Sequence, residues 1–292
     1  MSEASFDPAL PLRPSGNLRR RRLFNRLAEG GATAAAFLAV AVLAIVVYTV
    51  ASRGASALSL EFLVAGEPDG IGPALVGTAE IVAIATAIAM PLGVLVALYL
   101  TEFAGGFAGR SVRLALDLMN GLPSIIVGLF VFGLLVEPAA QQSALAGSVA
   151  LAIIELPLIA RGSQEVLLLV PGSLREGAEA LGVSRWRSVI GVILPSALGG
   201  IVTSTVLAVA RAAGETAPLI FATSVFDGSR VSLNPLEALP NIPVTIFTLS
   251  EEGNPTGFAR AWGASLVLLS LILFASLAAR ALLARSRTKM TR

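Results

Sequence analysis

The stretch PSALGGIVTSTVLAVARAAGETAPLIFATSVF, Pro195–Phe226, is long and apolar enough to cross a bilayer, yet Arg211 and Glu215 interrupt it. About 20 apolar helical residues span the roughly 30 Å hydrocarbon layer. Charged residues inside a span are costly in lipid and normally face a bundle interior or a water-filled path. Gly214 and Pro218 weaken the helix at the same point, because glycine is flexible and proline removes a backbone hydrogen bond. The stretch therefore predicts a span that is broken beside a polar path.

The composition of the whole chain is typical of a protein with several such spans. Of its 292 residues, 55% are hydrophobic and only 14% are charged, and the mean hydropathy is +0.82. A soluble domain carries about a quarter charged residues, and the alternating strands of a membrane barrel are absent from the pattern. The predicted fold class is an all-α polytopic membrane protein with about six transmembrane helices. The predicted spans are Ala32–Val50, Ala74–Tyr99, Leu114–Val136, Leu145–Ile159, Ala197–Phe221 and Trp262–Leu283.

The basic residues are distributed unevenly between the two sides of these predicted spans. Of the 21 Lys and Arg residues, 17 flank one side and three flank the other. Cytoplasmic flanks carry the excess of basic residues, so both termini are expected in the cytoplasm. The polar, arginine-rich segment 1–30 is interpreted as a cytoplasmic leader before an uncleaved first span. The apolar run Ile242–Leu249 is too short to cross a membrane and is expected at the outer rim.

Several residue types that carry chemistry are missing. The chain has no Cys and no His, which excludes disulfides and the usual zinc and haem ligands. Its one lysine, Lys289, is followed by Met290 and does not follow a glycine-rich stretch, so the nucleotide-binding pattern G-x-x-x-x-G-K-[ST] does not occur. We therefore predict no metal site, no cofactor and no nucleotide site in this chain, and we expect neither enzymatic activity nor a nucleic-acid partner.

The longest predicted cytoplasmic connection reads RGSQEVLLLVPGSLREGAEALGVSRWRSVIGVILP, Arg161–Pro195. Leu174, Ala178 and Leu181 recur at helical spacing, and Gly182 separates this stretch from a second helical one. Two short helices with an apolar face indicate a docking element for a cytosolic partner. An interfacial helix on the lipid headgroups and a simple linker are the alternatives.

This connection resembles the coupling motif of ABC importer permeases, which reads Glu-Ala-Ala, three residues, Gly, nine residues, then Ile-x-Leu-Pro. The matching positions are Glu176, Gly177, Ala178, Gly182, Val192, Leu194 and Pro195, with glycine for one alanine and valine for isoleucine. The resemblance extends over about 71–282. It implies an ABC type I importer permease fold whose coupling loop fits into a groove of an ATPase subunit.

Three further stretches resemble the phosphate-specific branch of this family. They are DLMNGLPSIIVGLFVFGLLV, ELPLIARGSQEVLLLVPGSLREGAEALG and ARAAGETAPLIFAT. The resemblance implies phosphate import across the bacterial cytoplasmic (inner) membrane. It also implies a second permease subunit, an ATPase dimer that binds ATP and Mg, and a periplasmic phosphate-binding protein. Permeases for another oxyanion (sulfate, molybdate or tungstate) and ion-coupled secondary transporters are the alternatives.

The resulting domain organisation has four parts. They are the basic leader 1–30, the first transmembrane helix with its periplasmic connection 31–70, the type-1 permease domain 71–283 with its coupling loop 161–195, and the cytoplasmic tail 284–292.

Arg211 and Glu215 are the first candidates for the substrate path. At a spacing of i, i+4 they are expected to share one helix face. A guanidinium offers planar paired donors that suit phosphate, and Glu215 would hold it when the path is empty. A buried structural ion pair is the alternative reading. Backbone groups freed near Gly214 and Pro218 could also line the path.

Arg161 is a further candidate, because it matches another arginine that the resemblance associates with transport. Its alternative role is an ordinary positive-inside anchor, and Glu165 is the expected partner four residues on. Asn120, Pro123 and Ser124 indicate a break in the third span, for which an ordinary kink is the favoured interpretation. A path for a dianion should not be lined by acids. Acids near the spans are therefore expected to pair or to face subunit contacts; they are Glu80, Asp117 and Glu155.

Overall fold

A computed structural model describes residues 18–224 and 228–290, with side chains for 20–224 and 228–281. Residues 1–17 of the predicted leader, the end of the predicted tail and the side chain of Lys289 lie outside this description. All regular secondary structure in the described ranges is helical. The chain divides into two compact units, 1–51 and 52–292.

The first unit is carried by helix α1, Leu18–Gly54. Its apolar stretch is long enough to cross a membrane, which confirms the predicted first span. Large apolar side chains such as Phe37, Leu43 and Ile45 are exposed in the structure. An apolar helix of this length requires lipid or another chain around it.

The second unit contains the remaining helices, several of them short. They are α2 Leu60–Val64, α3 Gly72–Leu98, α4 Gly106–Gly121, α5 Ser124–Val131, α6 Glu137–Ala139, α7 Ala144–Leu168, α8 Gly172–Ala180, α9 Arg185–Ser188, α10 Leu194–Ala212, α11 Ala217–Ala222, α12 Ile242–Glu251 and α13 Pro255–Met290.

Three π-helical turns extend these helices. Tyr99–Phe103 continues α3, Phe132–Val136 joins α5 to α6, and Val189–Ile193 joins α9 to α10. A π-helical turn inserts a wider loop into an α-helix without ending it and often lies at functional positions. Five helices in the described ranges are long and apolar enough to cross a membrane, or six if one bent pair is a single span. This confirms the predicted all-α fold with about six transmembrane helices.

The third predicted span, Leu114–Val136, contains the break expected at Asn120–Ser124, but the break is a sharp bend and not the ordinary kink favoured from the sequence. Helices α4 and α5 meet at 99°. Leu122 and Pro123 are both extended, with ψ of 131° and 132°. Proline disfavours helical geometry in the residue before it, here Leu122, so α4 ends at Gly121, two residues before Pro123.

Two other predicted boundaries also differ from the structure. The fourth span does not end at Ile159, because α7 continues to Leu168 and so includes Arg161. The fifth span does not run unbroken to Phe221, because α10 ends at Ala212 and α11 begins only at Ala217. The prediction that Arg211 and Glu215 share one helix face is therefore wrong.

Helix α7 forms the centre of the second unit and packs against both α3 and α10. Leu151 and Ile159 of α7 are fully buried together with Ile81 and Ala85 of α3. A Cβ atom at Gly93 of α3 would lie 2.9 Å from the Ile159 side chain. Small residues allow this close helix approach, which in a membrane provides much of the packing energy.

Helix α12 contains the apolar run that is too short to cross a membrane. The Asn241 side chain caps it by accepting a hydrogen bond from the Val244 amide at 3.1 Å. The Ile242 amide donates to the Thr78 hydroxyl of α3 at 2.8 Å. These two bonds satisfy amides at the helix start, which has no intrahelical partners, and they fix α12 against α3.

Candidate functional site

The two helix breaks of the second unit meet at one cavity. This cavity, named the break cavity here, measures about 230 Å³ and lies between α4, α5, α7 and the end of α10. A Cβ atom at Gly128 of α5 would lie 2.6 Å from the Pro218 Cα of α11. The glycine therefore lets the two breaks approach closely. The polar and charged residues that line the break cavity are Asn120, Ser124, Arg211 and Glu215.

A second cavity of about 330 Å³ lies between α7 and α10, and we name it the α7–α10 cavity. Its walls include Glu165 of α7 and Ser204 of α10. Leu158 and Arg211 line both cavities. The Arg211 side chain therefore stands where the two cavities adjoin.

The Arg211 guanidinium has no partner among the residues that the structure describes. Its side chain makes no hydrogen bond or ion pair with any described residue. Glu215 lines the same cavity, but no salt bridge joins the two in the described ranges. The backbone between them forms a turn, in which the Gly214 amide donates to the Arg211 carbonyl at 3.2 Å. Arg211 is thus a cation at a cavity junction with all its donors available.

Arg161 is held by a neighbouring helix. It forms an ion pair with Asp117 of α4 and donates to the Arg113 carbonyl at 3.2 Å. The expectation that Asp117 pairs is confirmed, whereas the expected Arg161–Glu165 pair is wrong because Asp117 takes the guanidinium. Glu165 instead lines the α7–α10 cavity.

Glu155 of α7 is fully buried. One carboxyl oxygen accepts a hydrogen bond from the Thr86 hydroxyl of α3 at 3.1 Å, and the other has no partner among the described residues. Glu80 likewise keeps one buried oxygen unpartnered there. The bond to Thr86 ties α7 to α3.

Two residues that line the cavities, Asn120 and Glu165, lie at helical spacing from the Asp117–Arg161 pair. Asp117 and Asn120 are three apart on α4, and Arg161 and Glu165 are four apart on α7. Residues at these spacings share one helix face. Arg211 can present a cationic fork to an oxyanion in either cavity, since a guanidinium donates two parallel hydrogen bonds to such a group.

The connection after α7 forms a compact surface element. Helix α8, Gly182 and helix α9 make up what we call the coupling segment, 172–188. Gly182 has φ of +70°, a left-handed conformation that costs other residues energy. Leu181 is 83% exposed and Trp186 is 55% exposed, so described residues leave an apolar surface uncovered. Exposed apolar patches of this kind mark interaction sites.

Among the residues singled out from the sequence in this region, most are accessible. Glu176, Gly177, Gly182 and Pro195 are exposed, whereas Ala178 is buried against the rest of the protein. Of the three residues at helical spacing, Leu174, Ala178 and Leu181, only Ala178 is buried.

Comparison with known proteins identifies the family. Residues 89–288 match the family described as "Binding-protein-dependent transport system inner membrane component". The chain belongs to this family. It is therefore an inner-membrane component of a transport system that depends on a binding protein.

Curated relatives agree with this family. The chain is 42% identical over 205 residues, 70% of its length and 72% of the relative's, to a probable phosphate transport system permease protein PstA of Methanocaldococcus jannaschii. It is 35% identical over 86% of its length to the phosphate transport system permease protein PstA of Haemophilus influenzae, of which it covers 91%.

Solved structures show the same fold at lower identity. The inward-facing MetNI methionine ABC transporter matches with a TM-score of 0.58 at 21% identity, over 74% of this chain and 94% of that one. A bacterial ABC transporter that imports the acidic polysaccharide alginate matches with a TM-score of 0.56 at 15% identity, over 89% of this chain and 98% of that one. The ABC importer permease fold expected from the sequence is thus confirmed.

Two paired residues, one in the coupling segment and one beneath it, were not found by sequence reasoning. Glu102 and Arg175 form an ion pair at 2.9 Å although they are 73 positions apart. The signals that could have suggested them were an acid directly after the span of α3 and an arginine next to Glu176. Neither signal shows that the two side chains meet.

Proposed function

We propose that this chain is a permease subunit of an ATP-driven ABC importer that carries inorganic phosphate across the cytoplasmic membrane. The substrate is inferred from the relatives, which are phosphate transport system permease proteins. The structural observation that carries the proposal is the unengaged Arg211 guanidinium at the junction of two cavities. An unengaged arginine in a membrane bundle is costly unless water or an anion meets it.

Arg211 is the proposed main contact for phosphate in this subunit. Its planar fork matches two oxygens of a phosphate and stays protonated throughout the physiological range. Glu215, on the wall of the same cavity, adds a negative charge that limits how strongly a dianion is retained, because like charges in a low-dielectric cavity repel. A transport path requires this balance, since the anion must leave as well as enter. Gly214 and Pro218 produce the break that turns Arg211 and Glu215 towards this cavity.

Arg161 is proposed as a second position on the path. A substrate oxyanion can replace its present partner, Asp117. The Arg161 guanidinium donates to carboxylate oxygens and to phosphate oxygens in the same paired geometry. The α7–α10 cavity is lined by Gly162, the residue that follows Arg161 on α7, and this neighbourhood supports a role for Arg161 after Arg211.

The coupling segment is proposed as the docking surface for the ATPase. Glu176, Gly177, Ala178 and Gly182 occupy it, and Pro195 stands at the start of α10. Its exposed apolar residues and its left-handed glycine favour a fitted protein contact over a linker. ATP and Mg would be bound by the partner ATPase dimer, which is PstB-like by analogy with the relatives.

The remaining partners follow from the same analogy. A PstC-like permease subunit would complete the path as the other half of a membrane heterodimer, and a PstS-like binding protein would deliver phosphate on the outer side. The excess of basic residues on one side supports a cytoplasmic location for both termini and for the coupling segment.

The test is transport by the reconstituted complex in proteoliposomes. Uptake of labelled phosphate, sulfate and molybdate is compared, each with its own binding protein present in excess. ATP-dependent uptake of phosphate alone supports the proposal. Equal or greater uptake of another oxyanion would reassign the substrate, and uptake without ATP would remove the importer mechanism.

A further inference from the structure

A buried carboxylate lies directly beneath the coupling segment. Glu102 belongs to the π-helical turn that follows α3 and is 4% exposed. The Arg175 Nη2 of α8 donates to its Oε1 at 2.9 Å, and Nε donates to the same oxygen at 3.2 Å. This is a forked contact, which fixes direction as well as distance. A buried charge pair is favourable only when its geometry is good and its remaining donors are satisfied.

The remaining donors of Arg175 are satisfied by a third element. Nη1 donates to the Val170 carbonyl at 2.8 Å, and Nη2 donates to the Leu167 carbonyl at 3.1 Å. Both carbonyls stand at the end of α7, where helical carbonyls have no intrahelical partner. One side chain of the coupling segment therefore joins α8 to the end of α3 and to the end of α7.

The second half of the coupling segment is attached to the adjacent residue of the same turn. The rings of Phe103 and Trp186 lie 6.2 Å apart with a 45° tilt. The Arg185 guanidinium lies 5.6 Å from the Phe103 ring centroid, within the range of cation–π attraction. Glu102 and Phe103 thus hold α8 and α9 respectively.

The helices on the other side of this joint reach the cavities. Helix α3 packs along α7, where Thr86 donates to the buried Glu155. Helix α7 supplies Leu158 to both cavities and Glu165 to the α7–α10 cavity. Closely packed helices shift as bodies rather than deform, so a displacement at the ends of α3 and α7 reaches the cavity walls.

We propose that the Glu102–Arg175 pair is a positioning device that makes the coupling segment move as one body with α3 and α7. Force on the segment then changes the walls around Arg211. Without the pair, the coupling segment still presents its exposed surface to a partner, but it moves independently of the ends of α3 and α7. The inference rests on the proposed docking of the ATPase at the coupling segment.

The experiment compares Glu102→Gln with wild type in the whole reconstituted complex. Three quantities are measured: the amount of ATPase that co-purifies, the rate of ATP hydrolysis, and phosphate uptake per ATP hydrolysed. Glutamine keeps the size of the side chain but removes the charge, and a charge-assisted bond contributes enough that uptake per ATP should fall at least about tenfold. ATPase association and hydrolysis should be retained. Glu61→Gln, an exposed glutamate of α2, is the matched control and should keep the wild-type ratio.

A covalent replacement of the pair separates transmission from simple stability. The chain has no cysteine, so Glu102→Cys with Arg175→Cys can be linked selectively by a cleavable bifunctional thiol reagent in a cysteine-free complex. Uptake per ATP should be low before linking, recover after linking, and fall again on cleavage.

Two results would overturn the inference. One is an unchanged uptake per ATP in Glu102→Gln, and the other is an assembled, linked double-cysteine complex whose ratio does not recover. Loss of ATPase association in Glu102→Gln would also overturn it, because the pair would then serve docking alone. Failure of the proposed docking itself would be seen separately, as wild-type complex in which the ATPase cannot be cross-linked to the coupling segment.

Discussion

Arg211→Gln removes a cation from the junction of the break cavity and the α7–α10 cavity while keeping a polar, although shorter, side chain. Because Arg211 has no hydrogen bond or ion pair with the described part of its own chain, the change breaks no internal contact there. Folding and assembly should therefore be preserved, and the loss should appear in transport. This separation makes the variant informative.

The expected loss of uptake is calculated from the hydrogen bonds that the Arg211 guanidinium would donate to phosphate. Each hydrogen bond to a charged group contributes about 1.5–3 kcal/mol, and a guanidinium can donate two to a phosphate. Loss of about 3 kcal/mol or more corresponds to a decrease of at least about a hundredfold in kcat/KM for uptake. Arg211→Lys keeps the charge but not the planar fork, so it should recover only part of this loss.

The assay is initial uptake of labelled phosphate by proteoliposomes, with ATPase co-purification as the check on assembly. Arg110→Gln serves as the matched control, because Arg110 is an exposed arginine of α4 that donates only to the Gly106 carbonyl within its own helix. It should leave uptake near the wild-type rate.

The exchange Arg211→Glu with Glu215→Arg tests the alternative in which the two residues form a structural ion pair and do not contact substrate. The two residues lie on either side of the end of α10, so the exchanged arginine would stand in the turn rather than on the helix. Uptake should stay lost although the complex assembles. Substantial recovery in the exchanged protein, or normal uptake by Arg211→Gln, would refute the reasoning and leave Arg211 without a role on the path.

Three other expectations follow from the structure. Gly182→Asp forces a side chain into a backbone with φ of +70°, so the protein should remain in the membrane but co-purify with less ATPase; normal amounts of ATPase and normal uptake would contradict the proposed docking. Gly93→Val places a Cβ atom 2.9 Å from an isoleucine of α7 and should destabilise the fold by about 1–3 kcal/mol. The measurement is a lower Tm in detergent. An unchanged Tm would show that α3 and α7 can separate freely. Cysteines introduced at Ser229 and Asn254 should both react with an impermeant thiol reagent from outside, and labelling from opposite sides would show that the number of crossings between them is wrong.

Local pattern was sufficient for the class of protein and for its helices. Hydropathy depends only on which residues are neighbours in sequence, so apolar runs predict spans whatever they pack against. The turn at Gly182 follows for the same reason, since a glycine between two helical stretches is a local signal. The fixed spacing from Glu176 to Pro195 identified the family because it is read along the chain. The lack of a phosphate-binding lysine motif is equally a property of sequence alone.

The breaks were only half visible in the sequence. Pro123 and Pro218 predict irregular backbone. The local sequence pattern is the same for a mild kink and for the 99° bend that the structure shows between α4 and α5. The size of the bend depends on the helices that pack against it. Here Gly128 of α5 has no side chain, and this allows Pro218 of α11 to pack against it. The prediction of a helical Arg211–Glu215 pair failed at this point, because spacing predicts a shared face only while the helix continues.

The partners of the charged residues were decided by tertiary structure. Arg161 had an acid four positions away in Glu165, yet it pairs with Asp117, 44 positions away on α4. Glu102 and Arg175 are 73 positions apart, and nothing in either neighbourhood selects the other. Side chains pair across space with whatever the packing of the helices brings within reach, and a buried carboxylate then accepts the partner that best satisfies it. The sequence by itself thus determined that this protein crosses the membrane and carries a coupling motif. The packing of α3, α4, α7 and α10 decided which partners Arg161 and Glu102 take and left Arg211 facing the cavities.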